Sequence, residues 1–224
     1  MKSFLRKILS PGILQSLKLC MNRMFGHNKL QIMPGNKFDM GNSIIEDCNI
    51  LIKGTGNQVV IGRNNVFRHC TIKIFGSNSR IFIGTENFFN ESIFWLEDES
   101  SEIIIGNNNK FCGKTHMGIV EGTALTIGND CLFSSDIYIT STDSHSIISK
   151  DTGKRINPSL SVKLGNHVWI GHRVSILKGV EIGNDCIVGG GSILTRAFLQ
   201  DNVILAGTPA KIIKKNISWD INRI

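Results

Sequence analysis

Several common protein classes are excluded by what this sequence has little of. Its 224 residues contain one tyrosine and four prolines, and no stretch approaches the ~18 consecutive apolar residues that a membrane-spanning helix needs. The first nine residues, MKSFLRKIL, are interrupted by Arg6 and Lys7, so no signal-peptide apolar core develops. Six cysteines (20, 48, 70, 112, 131 and 186) lie far apart with no CxxC pair, which is neither a disulfide framework nor a zinc ribbon. Cys131 and Cys186 read as small core residues, and a reducing cytoplasm is the expected compartment. Acidic residues are absent from positions 1–38, which hold seven Lys/Arg, whereas positions 39–224 hold eighteen bases and eighteen acids. The net charge of +7 therefore belongs to the N-terminal segment, and a neutral main body argues against nucleic acid as partner.

Glycine is plentiful, at twenty-three residues, and its placement reveals a repeat. Six segments align: VVIGRNNVF (59–67), IFIGTENFF (81–89), IIIGNNNKF (103–111), LTIGNDCLF (125–133), VKLGNHVWI (162–170) and VEIGNDCIV (180–188). Their glycines are spaced by 22, 22, 22, 37 and 18 residues. Alternating apolar residues followed at once by glycine predict short half-buried strands ending in tight corners. No unit can bury its apolar face alone, so the units must stack into a continuous core. An 18-residue step divides into three six-residue sides, and the 22-residue step enlarges one corner, at KGTGNQ (53–58) and FGSNSR (75–80). The expected fold is all-β, a parallel β-helix, with Phe67, Phe89, Phe111 and Phe133 stacked inside it.

Three regions break the period. Residues 1–38 suit amphipathic helices, with Pro11 starting the second. The 37-residue interval holds either two coils or one coil plus a polar loop projecting near 143–158, and such loops on rigid scaffolds favour chemistry. Residues 207–224 are expected to turn at Gly207 and Pro209 into a short basic helix. The expected organisation is thus an extension (1–38), a β-helix domain (39–206) and a C-terminal element (207–224).

At its Ile-Gly units, and most specifically at STDSHSI (141–147), GNHVWIGHRVSILKGVEIGNDCIVGGGSILTR (165–196) and AGTPAKIIK (206–214), the chain resembles the hexapeptide-repeat acyltransferases. The likeness is to their sugar acetyltransferase branch, and more closely to the capsule and lipooligosaccharide O-acetyltransferases, including those acting on sialic acid. The resemblance implies a left-handed coil, acetyl-CoA as co-substrate, a glycan acceptor, and a homotrimer with active sites between subunits.

Acetyl transfer from a thioester to a hydroxyl needs a base, and histidine is matched to that task near neutral pH. His145 stands at the family's catalytic histidine position, 24 residues before Trp169. Asp143, two residues earlier, or a backbone carbonyl would orient the imidazole. The resemblance implies that Trp169 lines the cleft for acetyl-CoA and acceptor, and that the backbone N–H at His172, after the Trp-Ile-Gly element, serves the oxyanion. It assigns Gly171, Gly190, Gly191, Thr195, Arg196, Pro209, Lys211 and Lys214 to coenzyme A, whose phosphates suit the basic side chains. His116 and Lys114 are candidate acceptor contacts, as are Arg155 and Asn157, which would otherwise be trimer contacts.

Two other enzyme readings compete. N-acylation of an amino-sugar nucleotide uses the same scaffold. A zinc site of the carbonic-anhydrase type would recruit His167, His172 and His145, although the GTPAK element has no role there and no metal is expected. A purely structural β-helix would show a repeated outward threonine ladder, but Thr140-Ser141-Thr142 occurs once. The basic N-terminal segment leaves three roles open: attraction of an anionic acceptor, peripheral attachment to the cytoplasmic membrane face, or a trimer-capping helix.

Overall fold

The computed structural model describes residues 27–223. Among these the chain forms strands and no helix, wound as a parallel β-helix with three walls. Each turn passes from sheet 1 to sheet 2 to sheet 3. In one turn these strands are Ser92–Leu96, Glu102–Ile105 and Lys110–Phe111. Equivalent strands pair in parallel and in register: Ile61 opposes Ile83, Phe67 opposes Phe89, and Ile72 opposes Phe94. The helical expectation for the N-terminal segment lies, up to residue 26, outside the described residues. From Lys29 onward the chain is already solenoid, with Leu30 over Ile50 and Ile32 over Ile52, so the coil begins before the expected boundary at 39. The boundary was obscured because Met40-Gly41 replaces the Ile-Gly pair, with fully buried Met40 in the isoleucine's place.

The alternation of apolar residues becomes the core. Phe67, Phe89, Phe111 and Phe133 stack with ring centroids 4.6, 4.7 and 4.1 Å apart, and none is more than 1% exposed. Ile170, Val188 and Leu205 continue the same column. Cys131 and Cys186 are buried beside it, and burial pushes the Cys131 thiol up to about 12.

The corners between sheets 2 and 3 explain the Ile-Gly signature. A Cβ on Gly62 would lie 2.3 Å from the carbonyl oxygen of Gly84, and one on Gly128 would lie 2.6 Å from that of Gly165. Glycine is required here by the closeness of the next coil. Two residues after each such glycine the backbone is left-handed, at Asn64, Glu86, Asn108, Asp130, His167 and Asp185, a conformation that Asn, Asp and His adopt more readily than most. Buried Asn65, Asn87 and Asn109 then stitch coil to coil. The Asn87 amide donates to Asn65 Oδ1 (2.9 Å) and the Asn109 amide to Asn87 Oδ1 (3.0 Å).

The corner between sheets 1 and 2 is the enlarged one, spanning residues 53–57 and 75–79 in the 22-residue turns. At the same corner the chain leaves sheet 1 at Thr140 and re-enters sheet 2 at Val162, so the 37-residue interval is one coil plus a projecting loop.

The expected C-terminal helix is not formed. Val203–Gly207 turns through Thr208-Pro209, whose peptide is cis, into the antiparallel strand Ala210–Lys215. The physical reason is the last coil's open edge: unpaired backbone groups there bind a returning strand, which a helix cannot satisfy. Ala210 is buried, and Ile212 packs on the core.

Phe111 sits between two stacked rings, so Phe111→Ala is expected to cost about 3–5 kcal/mol, as large-to-small changes of buried aromatics do. Chemical denaturation should show that loss, and an effect under ~1 kcal/mol would contradict a close-packed column.

Candidate functional site

The loop at 141–161 is anchored by many short contacts. Fully buried Ser141 sits at its base, where its hydroxyl accepts from the Val120 N–H (3.1 Å) and lies 2.7 Å from the Thr123 hydroxyl. Asn157, 6% exposed, holds the segment carrying His145. Its amide nitrogen donates to the His145 carbonyl (2.8 Å) and to Asp143 Oδ2 (2.9 Å), while its oxygen accepts from the Ile147 N–H (2.7 Å). Lys178, on the next coil's corner, donates to Asp143 Oδ2 and to the Pro158 carbonyl. Arg155 pairs with Glu121 on the preceding corner at 2.7 Å. The loop therefore bridges three successive corners.

The imidazole of His145 is solvent-exposed on this clamped segment, and its backbone N–H donates to the Asp143 carbonyl at 2.8 Å. Lys178, and then Asn157, hold the Asp143 carboxyl below the usual carboxylate range, as Arg155 does for Glu121. Asp143 Oδ2 thus serves the loop's anchorage. Asn157 and Arg155, expected at the acceptor, are likewise occupied in holding the loop.

Beside the loop, on the outer face of sheet 1, lies a cleft of about 490 Å³ lined by Trp95, His116, Tyr138, Thr140, Thr142 and Ser144, among others. His116 stacks on Tyr138 with centroids 5.3 Å apart and planes 14° apart. Its Nδ1 is buried without a partner, and burial, then nearby Lys114, lowers its pKa. His116 is therefore a neutral ring at pH 7. Lys114 is exposed at the adjoining corner between sheets 3 and 1.

That same corner gathers another set two turns further on. The Gly191 N–H donates to the His172 carbonyl (2.8 Å), and Gly190 lies against that residue's backbone. A Cβ on Gly171 would come within 2.7 Å of the Gly190 nitrogen. The Thr208 hydroxyl, next to exposed Pro209, reaches the Gly191 carbonyl at 3.5 Å. The His172 Nδ1 lies 2.8 Å from the Ser135 hydroxyl. Thr195 and Arg196, by contrast, follow Ile193–Leu194 at the corner between sheets 1 and 2, and exposed Lys211 and Lys214 stand on the terminal strand of sheet 3. The fold thus divides the expected coenzyme residues among three places.

Trp169 is 39% exposed on sheet 3, the wall opposite the corner that bears His145. Its neighbour is Trp219, 6.0 Å away between ring centroids, in the tail expected to be helical. Trp219 stacks on His167 (4.2 Å, 10°), and its indole N–H donates to the His167 carbonyl at 2.8 Å. A lone tryptophan in the C-terminal tail is the available signal. His167 also contacts Asp185 at 2.8 Å and occupies the left-handed corner position. His167, His172 and His145 stand at three separate corners, and no group of three or more metal-ligating side chains suited to an ion occurs among the described residues.

The family pattern described as bacterial transferase hexapeptide (six repeats) matches residues 161–196. The polysialic acid O-acetyltransferase of Neisseria meningitidis is 36% identical over 111 residues, covering 47% of this chain and 52% of that protein. The putative lipopolysaccharide biosynthesis O-acetyl transferase WbbJ of Escherichia coli (strain K12) is 36% identical over 108 residues, covering 45% and 54%. The chain spans about half the length of the curated relatives it matches. In three dimensions it superimposes on the polysialic acid O-acetyltransferase OatWY with a TM-score of 0.81 and 30% identity, covering 88% of this chain and 92% of that one. It also superimposes on the polySia-specific acetyltransferase NeuO, at 0.71 and 28%, covering 84% and 86%. The chain belongs to the hexapeptide-repeat acetyltransferase family, and its solenoid is that family's left-handed β-helix.

Asn157→Ala should free the loop: hydrogen exchange across 143–158 is expected to rise while the coils stay protected. Acid should act in the same direction. Asp143 and Glu121 titrate below their unfolded values, so their contribution is complete above the ordinary carboxylate pKa of about 4 and lost as pH falls through the depressed folded values. Limited proteolysis at pH 7 and below pH 4 tests this; equal loop protection at both would refute the anchorage.

Proposed function

We propose that this protein is an acetyl-CoA-dependent O-acetyltransferase whose acceptor is a hydroxyl of an acidic bacterial surface polysaccharide of the sialic acid type. The carrying observation is the exposed His145 imidazole, held on a loop clamped to three corners beside a cleft rich in aromatic rings and hydroxyls. The named activities of the relatives support transfer of an acetyl group to oxygen and the acceptor class.

In this reading the acceptor hydroxyl lies against His145, which takes its proton as the oxygen attacks the thioester carbonyl. The oxyanion forms against the backbone N–H of His172. Collapse breaks the carbon–sulfur bond, and the imidazolium returns the proton to the departing thiolate. Oxygen gains the acetyl group, sulfur gains the proton, and the enzyme is unchanged. One chain puts His145 at the corner opposite the wall that carries Trp169, and it scatters the bases suited to coenzyme phosphates. A second copy of the chain is therefore needed to bring Trp169 to the reacting thioester, in keeping with a trimer. The setting proposed for it is cytoplasmic, at the membrane face where surface glycans are assembled, with the basic N-terminal segment attached there.

His145→Ala is expected to lower transfer to polysialic acid by about 10²–10⁴-fold, the range for loss of a general base, while acetyl-CoA binding and oligomeric size stay as in the wild type. Transfer measured with labelled acetyl-CoA decides this, and near wild-type turnover would refute the mechanism. Trp169→Ala should weaken both turnover and use of acetyl-CoA.

A further inference from the structure

The outer face of sheet 1 carries, next to the cleft, a set of side chains that neither the fold nor the acetyl transfer step requires. Phe75 and Trp95 lie on adjacent coils, their ring centroids 5.0 Å apart and their planes tilted by 51°. Lys53 Nζ stands 5.5 Å from the centre of the Phe75 ring, and Lys73 Nζ 5.0 Å from that of Trp95. The Trp95 indole N–H is fixed by Glu97 Oε1 at 2.8 Å, which sets the ring plane. In register beyond Trp95 come Gly118 and then Thr140. Gly118 leaves a notch floored by backbone, and a Cβ there would approach the His116 ring at 3.1 Å. Exposed Tyr138 closes the row, stacked on His116, beside Thr142 and Ser144. The strip is continuous from Lys53 to the loop that bears His145.

We infer that this strip is an extended subsite for an acidic glycan chain, with sugar rings stacked over Phe75 and Trp95 and their carboxylates met by Lys53 and Lys73. The inference rests on the function proposed above and specifies how a polymer, as opposed to a single sugar, reaches His145. Three features select this ligand. Sugar rings offer C–H faces that lie flat on aromatic surfaces, and their hydroxyls suit the Thr140, Thr142 and Ser144 end. Coils repeat at about 4.8 Å, so the row runs in a line across successive turns, as an extended chain does. The acids at its margin already have donors: Glu97 the indole, Asp98 the Glu121 N–H at 3.1 Å, and Glu121 the Arg155 side chain. Of these only Glu121 is paired with a cation; Glu97 and Asp98 keep their charge at the margin, and Lys53 and Lys73, which stand at the two rings, are the groups that meet a bound carboxylate.

The experiment compares wild type, Trp95→Ala, Trp95→Phe and the Lys53→Ala/Lys73→Ala pair on α2,8-linked sialic acid trimer and on polysialic acid. For the polymer, kcat/KM is expected to fall on the order of tenfold or more in Trp95→Ala and in the lysine pair, a factor corresponding to about 1.4 kcal/mol. For the lysine pair, trimer turnover and acetyl-CoA binding should stay within twofold, and Trp95→Phe should retain most of the polymer rate. Equal losses on trimer and polymer in the lysine pair, or an altered oligomeric size in these variants, would overturn the subsite, the latter by marking the strip as an interface between copies. If the wild type acetylates no glycan, the proposed function fails. Polymer binding to His145→Ala, followed by tryptophan fluorescence with and without the Lys53→Ala/Lys73→Ala pair, then reads the subsite alone: saturable binding weakened by loss of the lysines supports it, and no binding overturns it.

Discussion

Stacking of each coil on an equivalent coil, residue over residue, is the constraint from which the rest of this molecule follows. A parallel β-helix has no element that buries its own core, so every backbone ladder and every interior side chain must find its counterpart one turn away. The buried asparagines meet this demand by donating and accepting along a continuous line, and the phenylalanines by face-to-face stacking. The glycine corners belong to the same constraint, since the next coil's carbonyl leaves no room for a Cβ. The result is a rigid prism whose corners can accept insertions without disturbing its walls.

The departures from the regular coil lie at those corners. The corner between sheets 1 and 2 is already enlarged in the early turns, and there the chain extends into the loop bearing His145. Asn157, Asp143, Lys178 and the Glu121–Arg155 pair convert what would be a mobile excursion into a fixed projection. This loop draws its rigidity from three coils at once. The corner between sheets 3 and 1 differs: Gly171 and Gly190 are packed against the backbone of the neighbouring coil, and Gly191 has open space around it.

The fold is largely legible in the sequence, because periodicity in glycine and isoleucine directly reports the packing period. It failed where another residue met the same need. Met40-Gly41 begins the series without isoleucine, and the C-terminal strand was hidden because KIIKK suits a helix equally well until an open sheet edge is known to lie beside it. Among candidate site residues, His145 is legible from its motif. The anchoring roles of Asn157 and Arg155 are not, since they depend on partners distant in sequence. Trp219 and Trp95 were missed because neither sits in a repeated motif, and their meaning comes from His167 and Phe75 nearby in space.

By itself the sequence determined the coil, its core column, and the family to which the chain belongs, all of which are encoded in local spacing repeated along the chain. Tertiary structure alone decided which corner the loop leaves from, which side chains clamp it, and that His145 and Trp169 stand on opposite sides of one prism. The physical reason is that a repeat specifies contacts between neighbouring turns. A site, in contrast, is assembled from side chains whose separation around the coil, and whose charge partners, no period records.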